Sequence, residues 1–409
     1  MLEPIVKRCA GLDVHKMVVV ATVLVEQPDG QVSQQTRSFG TFRSDRDALC
    51  GWLGEAGVEL AVMESTGNYW KSIYAALETA SIETYVVNAR AVKQVPGRKT
   101  DVNDSQWLAA LARCGLLKPS FIAPMDLQQL RLIGRHRLKL KGIAAGEKNR
   151  LHKVLDDAGI RLGGVVSDIH GASAQAMIEG LIRGKPPQQL VQQARGRLQA
   201  KRDQLLQALD EPLSERHRLL LQEIRDHLGF LEPQMQRLEE QLLAGMAPYQ
   251  RYWQLLQTIP GIDAIGAAML IAEIGVEMER FGSAERLASW AGICPGNHES
   301  AGKRKTTRIR QGNRVLRQLL CEVANAACKT HSQFRSKYQA LVIRRGHKRS
   351  IIAIGHKLLR VVYTVLKEQQ PYRDPEIDYE ALVVAKNAPR WLKALKKYGY
   401  LAEARQVAA

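Results

Sequence analysis

Apolar and polar positions keep three different rhythms along the chain, and each rhythm predicts a different architecture. Over residues 1–120, short apolar runs alternate with turn and cap signals. Cys9–Val14 and Met17–Val25 read as a strand pair, and Pro28-Asp29-Gly30 supplies the turn into a third strand at Val32–Phe39. Ser44, Asp45 and Asp47 suit a helix start and Gly57 its end. Leu60–Met63 then reads as a short buried strand, Tyr69–Ala80 as a helix and Glu83–Val87 as a further strand. Thr100 is placed to cap a helix through Cys114, with Leu108, Leu111 and Ala112 on its inner face.

Residues 121–250 read as almost wholly helical. Leu221, Ile224, Leu228, Leu231, Met235, Leu238 and Leu242 alternate spacings of three and four, a seam that suits a coiled coil or a bundle helix equally. Pro233 falls inside the seam and is expected to kink it or restart it. The stretch from Gly159 to Pro187 interrupts the pattern and predicts no element. From 251 onward the helices are apolar and compact. Ile259-Pro260-Gly261-Ile262 makes a tight turn between two of them. That turn reads as a plain helical corner or as a helix-hairpin-helix whose amides hold a DNA phosphate; Asp263 stands where the second form has glycine. Pro371–Pro375 closes the region, and a last helix carries Trp391, Lys393, Lys396 and Lys397.

Three antiparallel strands followed by alternating helices and strands give the order of an α/β RNase H-like (RuvC-like) domain. The expected organisation is therefore that domain at 1–120, a helical or coiled-coil arm at 121–250, an all-α basic domain at 251–370 and a tail at 371–409.

Charge sharpens this picture. The chain has 409 residues and a net charge of +18, but residues 1–120 hold 13 Lys/Arg and 13 Asp/Glu. Residues 294–360 hold 16 Lys/Arg against only Glu299 and Glu322. A surplus confined to one region predicts a polyanionic partner, nucleic acid ahead of an anionic membrane. Six cysteines without a CxxC pair or a Cys/His cluster argue against a zinc site or a disulfide framework and suit a reducing compartment. Neither a signal peptide nor a membrane-length apolar run is readable, so the expected location is the cytoplasm, at the bacterial nucleoid.

The candidate chemistry lies in four acids. Asp13 falls near the end of the first strand, Glu64 follows the fourth, and Asp101 and Asp104 are spaced to share one helix face. In an RNase H-like order these places converge on one rim of the sheet. Such a set would repel itself unless a divalent cation neutralised it, and oxygen-only donors select Mg²⁺ or Mn²⁺. Two such ions suit phosphoryl transfer. Solvated surface acids are the alternative. Asp13 argues against them, because it interrupts an apolar strand pair.

Three blocks carry a resemblance: Gly11-Leu12-Asp13-Val14-His15-Lys16, Glu64-Ser65-Thr66-Gly67-Asn68-Tyr69 and Lys99-Thr100-Asp101-Val102-Asn103-Asp104. With them go Ile259-Pro260-Gly261-Ile262, Ala291-Gly292-Ile293-Cys294-Pro295, Glu299-Ser300 and Gly312-Asn313-Arg314-Val315-Leu316-Arg317. In this order they resemble the DEDD-type insertion-sequence transposases, a family that includes Piv DNA invertases and bridge-RNA-guided recombinases. The resemblance implies a transposase that cuts and rejoins DNA, with Mg²⁺ held by Asp13, Glu64, Asp101 and Asp104. It implies Ser300 as nucleophile, brought to the metal by domain docking. It also implies a structured guide RNA and a homo-oligomer, dimer or tetramer. Lys303, Arg304, Lys305, Arg308, Arg310, Arg314 and Arg317, with a second run Arg344, Arg345, Lys348 and Arg349, are expected on phosphates. Ser105 departs from the family's usual alanine. The competing reading is a RuvC-like metal-dependent junction nuclease without serine chemistry.

Overall fold

The computed structural model describes residues 5–65, 67–89, 92, 103–294, 298–300, 303–306, 309 and 312–400. They form two compact units, Met1–Met125 and Asp126–Ala409.

The first unit is built on a five-stranded sheet. Its strands are β1 (Arg8–Val14), β2 (Val18–Glu26), β3 (Val32–Gly40), β4 (Leu60–Glu64) and β5 (Glu83–Val87), in the order β3-β2-β1-β4-β5. β2 pairs antiparallel with both β1 and β3, while β4 pairs parallel with β1 and β5 parallel with β4. This is the RNase H-like order expected from the apolar runs, with strand ends moved by one residue or so. Period-two alternation separates two buried faces. Leu12, Val14, Ala61, Met63 and Val86 pack with Leu49, Trp52 and Leu53 of α1 (Arg43–Glu55) and Ile73 and Leu77 of α2 (Trp70–Thr79). Cys9, Val62 and Val87 pack on the other face with Leu108, Ala109 and Ala112 of α3 (Asp104–Arg113). Burying a side chain of this size contributes about 1.5–3 kcal/mol. The cap of α1 differs from expectation: Phe42 is the N-cap, and its N–H donates to the Asp45 carboxylate at 3.2 Å.

The second unit is helical. α4 (Met125–Asp157) leads into short helices α5 (Leu162–Val165), α6 (Ala172–Ile182), α7 (Pro187–Val191) and α8 (Arg202–Leu209). These fill the stretch around Gly159–Pro187 that has no readable periodicity. Their apolar sides close over a core of Leu151, Leu155, Met177, Ile178, Leu205 and Leu209. The heptad seam lies on α9 (Glu215–Ala244), and Leu221 and Ile224 enter that same core. Leu228 packs against it as well, so the first turns of the seam are used inside their own chain. Pro233 sits within α9, where it withholds an N–H from the preceding turn.

Beyond it come α10 (Gln250–Gln257), α11 (Ala264–Ile274), α12 (Ala284–Ala291), α13 (Arg314–Ala327), α14 (Gln333–Arg345), α15 (His347–Glu368) and α16 (Tyr379–Lys397). A two-stranded sheet, β6 (His298–Ser300) with β7 (Lys303–Thr306), precedes α13. α11 is buried on nearly every side, as its run of Ala, Met, Leu and Ile demands. Among the described residues no helix is long and apolar enough to cross a membrane.

Candidate active site

β1 and β4 run side by side with Leu12 opposite Met63, so Asp13 and Glu64 follow at the ends of the same register. Parallel neighbours lie about 4.8 Å apart, and both acids belong to the face that α3 covers, after Gly11 and Val62. Both are partly buried. His15 Nε2 lies 3.1 Å from Asp13 Oδ2 and is the more exposed of the two. Asp104 is the first residue of α3, after Asn103 with ψ 147°, where the helix dipole favours a carboxylate. Asp101 lies outside the described residues.

What places Asp104 is the seating of α3 on β1. A Cβ on Gly11 would stand 2.0 Å from the Ser105 carbonyl oxygen and 2.4 Å from the Ala109 amide nitrogen. Only a residue without a side chain lets the helix come this close. The seating is fixed by a run of hydroxyls. Thr36 Oγ1 and Thr22 Oγ1 are 2.9 Å apart, and Thr22 Oγ1 and Ser105 Oγ are 2.9 Å apart, with Thr22 and Ser105 fully buried. Ser105, the departure from the family pattern, thus satisfies a buried threonine and locks the first turn of α3 beside Asp104. At the far end of the helix Arg113 donates to Glu26 at 2.7 Å.

The donors are carboxylate oxygens alone, a set suited to a hard divalent cation. Among the described residues no three His, Cys, Asp or Glu form a complete ligand cluster. Of the predicted acids, Asp13 and Glu64 lie at the ends of β1 and β4 and Asp104 opens the helix that covers one face of this sheet.

In the second unit, Ser300 ends β6 and pairs with Lys303, leaving two residues between the strands; Glu299 pairs with Arg304. Lys303, Arg304 and Lys305 all belong to β7, and Arg308 and Arg310 lie outside the described residues. Arg314 and Arg317 open α13, with Arg317 Nη1 donating to the Gly292 carbonyl at 3.4 Å. Arg344 and Arg345 close α14, and Lys348 and Arg349 open α15; all four are exposed.

The other motif residues are structural supports. Gly312 packs on Ala291-Gly292, where a Cβ would stand 2.5 Å from the Gly292 nitrogen. Asn313 Oδ1 accepts from Val315 N and Leu316 N at 3.1 Å, capping α13, while its Nδ2 donates to Glu273 at 2.6 Å. Glu273 is 2% exposed and receives both Arg135 Nε at 2.8 Å and Nη2 at 2.9 Å. Burial lowers the Arg131 pKa, partly offset by Glu273. Gly261, at φ +88°, brings the Ile259–Ile262 turn onto α13. Asp263 caps α11 by accepting from Gly266 N at 2.6 Å, so that amide is taken by a carboxylate. A phosphate at this turn would have one fewer amide to hold it.

Sequence reading missed the partly buried cations Lys337 and Lys357 of α14 and α15, with the exposed Arg360 beside them. They do not form a run, so only the folded helices bring them together.

A transposase family model of the DEDD, IS110 type matches residues 10–160, and a second, described as the transposase IS116/IS110/IS902 family, matches residues 253–339. The chain belongs to the IS110 family of transposases. Membership makes it a DNA-cutting enzyme of transposition. It is 26% identical to the transposase for insertion sequence element IS1111A of Coxiella burnetii, over 81% of this chain and 84% of that protein. It is 24% identical to a probable family 20 transposase of Pseudomonas aeruginosa, over 68% of this chain and 75% of the other. The pilin gene-inverting protein of Moraxella bovis is 34% identical over 29% of this chain and 38% of its own length. The solved structure of Thermus thermophilus RuvC is similar over 28% of this chain and 99% of that one, at 14% identity and a TM-score of 0.22.

Proposed function

We propose that this transposase mobilises an insertion sequence by cutting and rejoining DNA with a serine nucleophile and a carboxylate-held divalent ion. The observation that carries the reading is the shared register of Asp13 and Glu64 at the ends of β1 and β4, on a sheet one face of which is covered by the helix that Asp104 opens. Asp13, Glu64, Asp101 and Asp104 would hold the ion, Mg²⁺ or Mn²⁺. Bound there, it supplies charge neutralisation and Lewis acidity at a phosphate oxygen. His15, at 3.1 Å from Asp13, orients that carboxylate.

Ser300 supplies the nucleophile. Its oxygen bonds to phosphorus as the bond from phosphorus to one deoxyribose oxygen breaks, and the serine proton ends on the leaving oxygen. The phosphoserine ester keeps the bond energy, so attack by a second strand's hydroxyl rejoins DNA and restores the serine. The cations of β7, α13, α14 and α15 neutralise backbone phosphates and confer salt-sensitive affinity. Selection of the target by a guide RNA and assembly as a homo-oligomer, dimer or tetramer, belong to the same proposal.

The test compares Ser300→Ala with Asp13→Asn on supercoiled donor and target DNA with Mg²⁺. Ser300→Ala is expected to abolish both strand exchange and the covalent protein–DNA adduct. Asp13→Asn is expected to abolish all cleavage. Hydrolytic nicking by Ser300→Ala at wild-type rate would favour the junction-nuclease alternative, and normal joining by that variant would remove the serine from the mechanism.

A further inference from the structure

α14, α15 and the segment leading into α16 line an open cleft of about 750 Å³ whose walls carry Lys337, Lys357, Arg360 and Arg373. Among its described lining residues Glu368 is the one acid, and it is exposed. Lys337 and Lys357 are both partly buried, and among the described residues neither forms an ion pair. They share one aromatic ring instead: the ammonium groups stand 5.1 Å and 4.4 Å from the centroid of Tyr379. Lys357 Nζ also donates to the Tyr379 hydroxyl.

Two acids that could have answered the lysines are committed elsewhere. Asp374 accepts from the Gln333 amide at 3.0 Å and from the Tyr372 hydroxyl at 3.0 Å. Asp378 caps α16 through Glu380 N and Ala381 N, each at 3.0 Å. Glu285 pairs at 2.9 Å with Arg360, which stands exposed at the rim, and leaves the two lysines unanswered. Burial, then Lys357, lowers the Lys337 pKa; burial, then Arg360 and Lys337, lowers that of His356. Desolvated like charges held together cost free energy that an anion between them would return.

A second open cleft of about 790 Å³ adjoins the first through Lys337 and His356 and carries Arg345, Lys348 and Arg349 over Leu341 and Ile352. The two form a basic trough with partly apolar walls. We propose that Lys337 and Lys357, with Arg360 at the rim, seat one phosphodiester of a nucleic-acid strand, which continues over Arg345, Lys348 and Arg349. The seat rests on the transposase reading and deepens it. It makes one phosphate a fixed register point, where the outer cations act as a diffuse field.

The test uses the full chain and three variants: Lys337→Gln with Lys357→Gln; Arg360→Gln with Arg373→Gln on the cleft's exposed rim; and Lys393→Gln with Lys396→Gln on exposed α16. All three remove equal charge. Binding of labelled single-stranded DNA and RNA 12-mers is measured against salt, with folding checked by circular dichroism. The first variant is expected to bind about tenfold more weakly, with a salt slope shallower by about 0.7, as for one fewer neutralised phosphate on a single strand. The α16 pair should change affinity less than about twofold, since scattered exposed charges hold no single phosphate. Millimolar inorganic phosphate should raise the melting temperature of the wild type and not that of the first variant.

Weakening confined to DNA, or to RNA, identifies the strand. If the lysine pair proves necessary for folding, the rim pair carries the same expectation. Equal weakening in the cleft and α16 variants, or unchanged binding by a folded cleft variant, overturns the seat while leaving the transposase reading intact. A wild type that binds neither nucleic acid overturns both.

Discussion

At the scale of single residues, the decisive position in the first unit is Gly11. It carries no chemistry, yet the closeness of the Ser105 carbonyl to its missing Cβ sets how near α3 comes to the acids. Gly11→Ala is expected to force the helix off β1 and to destabilise this unit by about 3 kcal/mol. Thermal unfolding should show it as a lower melting temperature, and an unchanged one would mean that the helix seat is soft. Ser105→Ala should cost less, about 1 kcal/mol, because Thr22 keeps Thr36 as a partner. Of the acids, the place of Asp13 near the end of the first strand was legible from sequence, since the apolar strand pair around it is a local signal. Ser105 read as an anomaly because its partner, Thr22, is 83 residues away.

At the scale of elements, local pattern and distant packing divide the outcome. The five strands were readable because alternation and turn residues are local signals, and β5 spans the predicted Glu83–Val87. The direction in which the heptad seam faces was not, because period alone does not say whether its partner is the same chain or another. Nor was the role of Asn313, whose two ends serve a helix cap and a buried glutamate from another helix. That glutamate ties α4, α11 and α13 together. Glu273→Gln removes the charge that answers Arg135 and Arg131 and is expected to destabilise the second unit by about 3 kcal/mol. Urea unfolding of this variant beside Arg135→Gln would check it. If the glutamine variant were as stable as the wild type, the network would be held by shape alone.

At the scale of the whole molecule, charge is divided between the units. Residues 1–120 are balanced, whereas 294–360 carry 16 Lys/Arg against two acids. A fragment of residues 126–409 should therefore retain most of the salt-sensitive affinity for nucleic acid, while residues 1–125 alone bind weakly and without a steep salt slope. Titration of both fragments with the same duplex, at two salt concentrations, measures this; strong binding by the smaller fragment would contradict it. Sequence legibility follows the same division. Runs such as Lys303–Lys305 announce themselves, but Lys337 and Lys357 become neighbours only when two amphipathic helices fold against each other.

The ring between those two lysines belongs to the opening residue of the last helix, and α16 buries none of its described side chains. The chain before it is tied down: Tyr372 N donates to Thr258 Oγ1 at 2.8 Å and Tyr379 N to Ser336 Oγ at 2.7 Å. A premature stop codon after Leu382 would leave that anchorage and the ring in place, whereas one after Gln370 would delete both. Copies of the gene shortened within the last helix and copies shortened a dozen codons earlier are thus different alleles. The first kind keeps the basic trough, and the second leaves two ammonium groups facing each other across nothing.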